Sequence, residues 1–239
     1  MIDLHTHILP KMDDGASSST LSLDMLRMEA SQRVDTVVLT PHFYREEEEP
    51  EAFLQRRASS FLRLQERIDE LPKEERGQLP TLLLGAEVAW TPNMDEWEAL
   101  PQLCMGKSSL LLLELPFYPW DKGMFHQLYD LIGKTGVTPV IAHLERYMRG
   151  QRWSGIQEIL ALGVPIQLSS GAFLTMGGRR LVRQLLHAGM GFLLASDCHN
   201  ATTRPPNMGE AIAVIRKKFS KEVAGDLQRQ MSVVKRQLV

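Results

Sequence analysis

The chain has 239 residues, enough for one large domain or two small ones, and its 44% hydrophobic and 23% charged residues are the balance of a globular protein. A net charge of −2, from 27 basic and 29 acidic side chains, leaves no basic excess to favour nucleic acid. Cys104 and Cys198 are the only cysteines, which excludes a disulfide framework. No apolar run reaches the roughly 18 residues of a membrane span, and no signal peptide opens the chain, so a cytoplasmic protein without direct membrane insertion is expected.

The first fifteen residues, M-I-D-L-H-T-H-I-L-P-K-M-D-D-G, run an apolar strand into His5 and His7. Residues two apart on a strand share a face, so the two imidazoles form a ready pair of ligands for a divalent metal. Asp13, Asp14 and Gly15 add carboxylates on a loop. Ser17 to Thr20 read as a cap for a helix carrying Leu21, Met25 and Met28. A strand over 35–40 ends at Thr40-Pro41-His42. The acidic run Glu46 to Glu49 precedes Pro50 and a long helix with the stripe Leu54, Ala58, Phe61, Ile68 and Leu71. Carboxylates at a helix start suit the macrodipole, so the run is read as a solvated cap. Residues 71–80 read as a polar loop.

Strand three, 81–86, ends in Glu87, and a short helix follows around 95–103. Strand four, 109–113, ends in Glu114; Met124, Leu128 and Leu131 mark the next helix. Strand five, 137–142, ends in His143, followed by a helix with Ile156, Ile159 and Leu160. Strand six, 164–168, ends in Ser169 and Ser170, and a helix around Leu181 and Leu185 follows. Strand seven, 191–195, runs into Ser196, Asp197 and His199; helices over 206–218 and 221–238 close the chain. Seven rounds of strand then helix, with strands that are mostly continuous apolar runs, predict a parallel α/β fold. A closed or nearly closed barrel spanning 1–239 as one domain is the economical solution, and an open doubly wound sheet the alternative.

In parallel α/β barrels the chemistry sits at the carboxyl ends of the strands. Six of the seven predicted strands end in a residue able to bind metal. With Asp14 they make nine candidates: His5, His7, Asp14, His42, Glu87, Glu114, His143, Asp197 and His199. Nine exceed the need of one ion, so two or three divalent ions bridged by a carboxylate are expected; mixed imidazole and carboxylate donors fit Mn, Fe or Zn alike. Four ionised carboxylates against three divalent ions leave about two surplus positive charges, which suits a phosphate monoester. Arg146 and Arg204 lie just past two of the candidates and could fork onto phosphate oxygens. His126 and His187, on predicted helices, are read as structural or solvated.

The stretches D-L-H-T-H-I-L-P-K-M-D-D-G at 3–15, T-P-H at 40–42, G-A-E at 85–87, E-L-P at 114–116, H-L-E-R-Y at 143–147 and S-D-C-H-N at 196–200 resemble the polymerase-and-histidinol-phosphatase (PHP) family. More narrowly, they resemble the bacterial protein-tyrosine phosphatases of capsule and exopolysaccharide operons, the CpsB/YwqE type. The resemblance spans nearly the whole chain in order and spacing. Leu144 departs from it where relatives often carry proline. The resemblance implies a distorted (β/α)7 barrel and three divalent metal ions, Mn2+ first, with Fe or Zn as alternatives. One ion would take His5, His7, Glu87 and Asp197; a second Glu87, Glu114 and His143; a third Asp14, His42 and His199. Arg146 and Arg204 match phosphate-contacting arginines, and Asp3 and Asp13 are left outside the ligand set. The implied reaction is hydrolysis of phosphotyrosine by a metal-activated hydroxide. Its implied partner is a phosphotyrosine protein, the tyrosine-rich tail of a bacterial tyrosine autokinase. The alternative is a phosphatase of a small phosphomonoester such as histidinol phosphate.

Cys198 to Arg204 also satisfies C-x5-R, the phosphate loop of cysteine-dependent tyrosine phosphatases. That stretch has no glycine, and Pro205 and Pro206 follow the arginine at once. Proline has no amide donor for a phosphate cradle, so the match is read as accidental.

Overall fold

The computed structural model describes residues 1–239. The chain runs β1 (Ile2–Thr6), α1 (Ser19–Ser31), β2 (Thr36–Leu39), β3 (His42–Phe43), α2 (Pro50–Asp69), α3 (Lys73–Arg76), β4 (Thr81–Leu84) and β5 (Glu87–Ala89). A 3-10 turn (Met94–Glu96), α4 (Leu100–Leu103), β6 (Leu110–Glu114), α5 (Lys122–Thr135), β7 (Thr138–Ile141), α6 (Leu144–Tyr147) and α7 (Trp153–Ala161) follow. The last part holds β8 (Gln167–Ser169), α8 (Ser170–Leu174), α9 (Met176–His187), β9 (Leu193–Ala195), α10 (Met208–Lys218) and α11 (Lys221–Leu238).

Local chemistry places the helix starts. Ser18 Oγ accepts from the Leu21 amide at 3.2 Å, and Asp121 Oδ1 from the Met124 amide at 2.8 Å; both cap orphan donors of a first turn. Pro50 opens α2, where a missing N–H costs nothing. Gly136, at φ 70°, takes the left-handed position that ends α5.

Every strand pair is parallel, in three sheets ordered β1-β2-β4, β3-β5-β6-β7 and β8-β9. The strands do not form one continuous hydrogen-bonded ladder. The expected strands 35–40 and 81–86 are β2 and β4, and two further short strands, β3 and β5, follow them beyond Pro41 and Gly85. Pro41 has no amide to donate, and the chain bends between β2 and β3. Its partner bends at Gly85, where a Cβ would sit 3.1 Å from Met105 Cγ and 3.2 Å from Thr40 Cγ2 and Val38 Cγ1. The Gly85 amide still donates to Leu39 O (2.9 Å) and the Glu87 amide to Pro41 O (3.0 Å), so hydrogen bonds span the break. Between sheets, single parallel bridges join Thr6 to Cys198 and Ile141 to Ile166.

Other differences are small. The 71–80 loop contains α3, and the helix expected over 95–103 is a 3-10 turn and a separate α4. α6 and α8, one turn each, begin directly after His143 and Ser169. β4 is half-exposed, so it is not the doubly covered strand its apolar run suggested. The core is one cluster of 59 buried apolar side chains beneath the strands and helices, from Ile2 and Leu4 to Val234 and Leu238. No helix is long and apolar enough to cross a membrane.

Candidate metal centre

The nine candidates come from strand ends and the turns beyond them. His5 lies on β1 with His7 just past it; His42 and Glu87 open β3 and β5 in direct register; Glu114 ends β6. His143 follows β7 at φ 31°, and Asp197 follows β9 at φ 54°. Left-handed backbone is unfavourable for both residue types and persists only where surrounding contacts hold it, a common feature of functional sites.

Glu87 is the hub, with 1% of its surface exposed. Its Oε2 lies 3.2 Å from His5 Nε2, 3.3 Å from His7 Nε2 and 2.9 Å from His42 Nδ1, and its Oε1 lies 2.9 Å from His143 Nε2. Glu114 Oε1 is 3.2 Å from the same His143 nitrogen. Asp197 Oδ1 lies 3.5 Å from His5 Nε2 and 3.6 Å from both His7 Nε2 and His199 Nδ1. Asp14, at the exposed rim, places Oδ1 3.3 Å from His199 Nε2 and 3.6 Å from His42 Nε2. The structure therefore brings together all nine candidates.

Three donor groups lie with their ligand atoms within 4.8 Å of one another: His7, Asp14, His42 and His199; His5, His7 and Glu87; and His42, Glu87 and Glu114. These overlap the sets implied by the resemblance, with His7 and His42 each reaching a second group. Glu87 Oε2, His42 Nδ1 and His199 Nε2 are buried without a hydrogen-bond partner. Glu87 Oε2 and His42 Nδ1 are close yet not aligned for a hydrogen bond, so their electron pairs converge on shared space. Buried polar atoms left unpaired cost roughly 1–3 kcal/mol each, more when charged, and a divalent cation is a group that this mixed imidazole and carboxylate set would satisfy.

Three buried histidines have their ring orientation set from behind. His5 Nδ1 faces Gln167 Oε1 (3.2 Å), His7 Nδ1 faces Asp13 Oδ2 (2.7 Å) and His199 Nδ1 faces the Asp197 carbonyl (3.1 Å). These contacts orient each ring so that its Nε2 points into the cluster. Asp13 also accepts from the His42 and Gly15 amides, and Gln167 Oε1 from the His143 amide. These two positioning residues were absent from the predicted set. Asp13 was visible but unassigned; Gln167 was signalled only as a polar residue inside an apolar strand. Asp3, also left out, accepts from the Ser196 and His5 amides and ties β1 to the turn carrying Asp197.

Electrostatics divide the imidazoles around an ionised Glu87 into neutral and proton-holding rings. Burial opposes charge on Glu87, but His5, His143 and His42 hold its carboxyl well below the usual range. Burial and the neighbouring His7 and Arg204 push His199 down to about 2, so it stays neutral. Burial lowers His5, whereas Asp13 and Glu87 outweigh burial at His7 and raise it to about 9. Of two imidazoles whose Nε2 atoms lie 3.1 Å apart, only one takes the proton.

Arg146 on α6 and Arg204 in the turn after β9 reach the mouth, half-buried, and both pair with Asp197; Arg204 Nη2 lies 2.9 Å from its Oδ1. Asn200 Oδ1 accepts from the amides of Thr202, Thr203 and Arg204, which fixes that turn. Phe117, 55% exposed, stacks on His143 with centroids 6.1 Å apart, and Tyr44 stacks on His42 at 5.4 Å. His126 and His187 lie outside the cluster, exposed on α5 and α9.

Cys198 is fully buried, and burial, with Glu29 and Asp3 beside it, pushes its thiol well up. Its Sγ lies 3.9 Å from Glu29 Oε1, away from the flanking Asp197 and His199. A buried thiol of raised pKa is no nucleophile. Cys198→Ser is therefore expected to keep the activity of the centre within about threefold of the parent. An inactive variant that retains its metal would overturn this.

The family model for capsular polysaccharide synthesis proteins, CpsB/CapC, matches residues 1–233. The tyrosine-protein phosphatase YwqE of Bacillus subtilis is 31% identical over 228 residues, covering 93% of this chain and 87% of that one. The tyrosine-protein phosphatase CpsB of Streptococcus pneumoniae is 30% identical over 239 residues, covering 95% and 94%. Among solved structures, a chain from work on YwqE and CpsB, described as unique metal-dependent tyrosine phosphatases, superposes with a TM-score of 0.82 at 29% identity, over 100% of this chain and 96% of that one. A match over almost the whole length, on top of a convergent imidazole and carboxylate cluster, places this chain in the CpsB/CapC family.

Proposed function

We propose that this chain is a metal-dependent protein-tyrosine phosphatase. The observation that carries the reading is the convergence of His5, His7, His42, His199, Glu87, Glu114 and Asp14 in three overlapping donor groups, with His143 and Asp197 packed against them and buried polar atoms left unpaired. In this reading the nine residues would hold divalent ions, three in number with manganese first, and Glu87 would be the carboxylate common to most of the donors. The bridges Thr6–Cys198 and Ile141–Ile166 support reading the three sheets as one distorted (β/α)7 barrel whose mouth is this centre.

When bound, such ions lower the pKa of a coordinated water to roughly 7 and polarise phosphoryl oxygens. The chain supplies the remaining parts. Asp13 and Gln167 hold His7 and His5 with their Nε2 atoms inward. Arg146 and Arg204, aimed at the mouth, carry the positive charge that a phosphoryl group needs on its outer oxygens; a bound phosphate would take over from Asp197 as their partner. Phe117 offers an exposed aromatic face beside His143, on which a phenyl ring can lie. A phenolate leaving group has a pKa of about 10, so it departs with little help from an acid. No side-chain nucleophile is involved, because Cys198 is sealed in the core. The natural substrate in this reading is the tyrosine-rich tail of a bacterial tyrosine autokinase in capsule or exopolysaccharide synthesis, met in the cytoplasm.

The test is phosphate release from a phosphotyrosine peptide, histidinol phosphate and a phosphodiester, before and after chelation. The phosphotyrosine peptide is expected to be hydrolysed best, with activity falling more than about 100-fold on chelation and returning with Mn2+. Preference for histidinol phosphate would move the substrate assignment to a small phosphomonoester. Full activity after exhaustive chelation would end the reading.

A further inference from the structure

Beside the metal mouth lies a groove of about 700 Å³ between α6 and the α8–α9 segment. Arg146 lines it and also pairs with Asp197, so the groove borders the centre. Much of its wall is apolar, and the charge it carries is lopsided, three arginines against one glutamate. Arg149 and Arg180 line it, both exposed and neither in a salt bridge. Arg33, Arg63, Arg152, Arg183, Arg216 and Arg236 are also exposed without a carboxylate partner, so what sets Arg149 and Arg180 apart is their place in one groove wall with Arg146. The one acid in the groove wall, Glu145, turns its carboxylate to the Ser169 amide, with both oxygens within 3.3 Å. Gly171 and Gly177 leave the wall low, since a Cβ at either would meet nothing within 4 Å. An extended chain entering here can bring its backbone close to the wall and its side chains to the guanidinium groups.

We propose that this groove docks the acidic stretch of the peptide substrate that flanks the phosphotyrosine, with Asp or Glu carboxylates pairing with Arg149 and Arg180. This rests on the phosphotyrosine reading of the neighbouring centre. Its physical basis is complementarity: two guanidinium groups without internal partners form charge-assisted, forked bonds with carboxylates, and the site they flank accepts an anion already. Docking outside the reacting centre acts on peptide capture, so it shows in KM and in salt dependence, while kcat stays level.

The experiment compares phosphotyrosine peptides with glutamates on the N-terminal side, on the C-terminal side, or replaced throughout by glutamine, at two salt concentrations. The full chain, an Arg149→Glu/Arg180→Glu variant and an Arg149→Gln/Arg180→Gln variant are measured. One of the glutamate peptides is expected to exceed the glutamine peptide by about tenfold in kcat/KM, through KM, with the advantage shrinking at high salt. The charge-reversed variant is expected to invert the preference and the neutral variant to erase it, with p-nitrophenyl phosphate turnover unchanged in both. Equal rates on glutamate and glutamine peptides, or a preference that survives charge reversal, would overturn the proposal. So would a gain confined to a peptide bearing a second phosphotyrosine. Fluorescence anisotropy of the labelled, unphosphorylated glutamate peptide reads docking without turnover. If no phosphomonoester is hydrolysed, tighter glutamate than glutamine binding that the charge reversal abolishes sustains the groove while the catalytic reading fails; equal binding removes both.

Discussion

Glu87→Gln is expected to lower kcat/KM on a phosphotyrosine peptide by on the order of 10³-fold and to strip metal from the purified protein. The amide matches the carboxylate in size, so packing is unchanged. It lacks the charge, and its nitrogen is a donor where a ligand must be an acceptor. Glu87 is the only side chain within 3.3 Å of four imidazoles, those of His5, His7, His42 and His143. Its loss therefore reaches every donor group at once, whereas loss of Asp14, at the exposed rim, touches only His42 and His199. The deciding measurement is steady-state kinetics paired with elemental analysis, with circular dichroism to show that the fold survives. A Glu87→Gln protein with full metal content and full rate would refute the assignment of the hub.

Gly15→Ala is the second large effect. A Cβ on Gly15 would fall on the His7 carbonyl oxygen, 2.5 Å from His7 Cβ and 2.9 Å from Asp13 Oδ1. Backbone cannot yield as a flexible side-chain tip does, so the Asp13–Asp14–Gly15 turn must move. Overpacking of this kind costs about 1–3 kcal/mol in stability. The same movement lifts Asp13 from His7 Nδ1 and Asp14 from the space it shares with His42 and His199. Loss of such support lowers metal affinity by about 10–100-fold. A matched control is Gly133→Ala on α5, where a Cβ meets nothing within 4 Å. There the change is expected to stabilise by about 0.5–1 kcal/mol, with no effect on metal. Thermal unfolding and metal titration of the pair separate the two; equal behaviour would show that the turn at Gly15 is slack.

Much of this was legible in the sequence, and the limits have physical causes. The nine candidates were visible because each stands at the end of a strand or in the turn beyond it, where a change from apolar to ionisable residues marks the boundary. Asp13 was harder to place than Asp14: adjacent residues on a loop have no periodicity to say which faces inward, and only coordinates show Asp13 under His7 and Asp14 at the rim. Gln167 was hidden because a buried amide between apolar neighbours resembles ordinary strand sequence until its partners across the fold are seen. The short strands β3 and β5 were likewise hidden. Pro41 and Gly85 are 44 positions apart, and only their juxtaposition shows both chains interrupted at one level. Short helices such as α6 fall below the length at which a 3.6-residue period can be counted.

The seam between the first and last strands has a consequence for how the protein is made. His5 and His7 are synthesised 192 residues before Asp197 and His199, which pack against them beside the Thr6–Cys198 bridge. The nascent chain thus carries two imidazoles with no pocket around them while those residues are made. Assembly of the pocket joins segments far apart in the chain, a topology that slows folding. Selection among competing ions then falls to the finished geometry and to whatever the cell supplies after release.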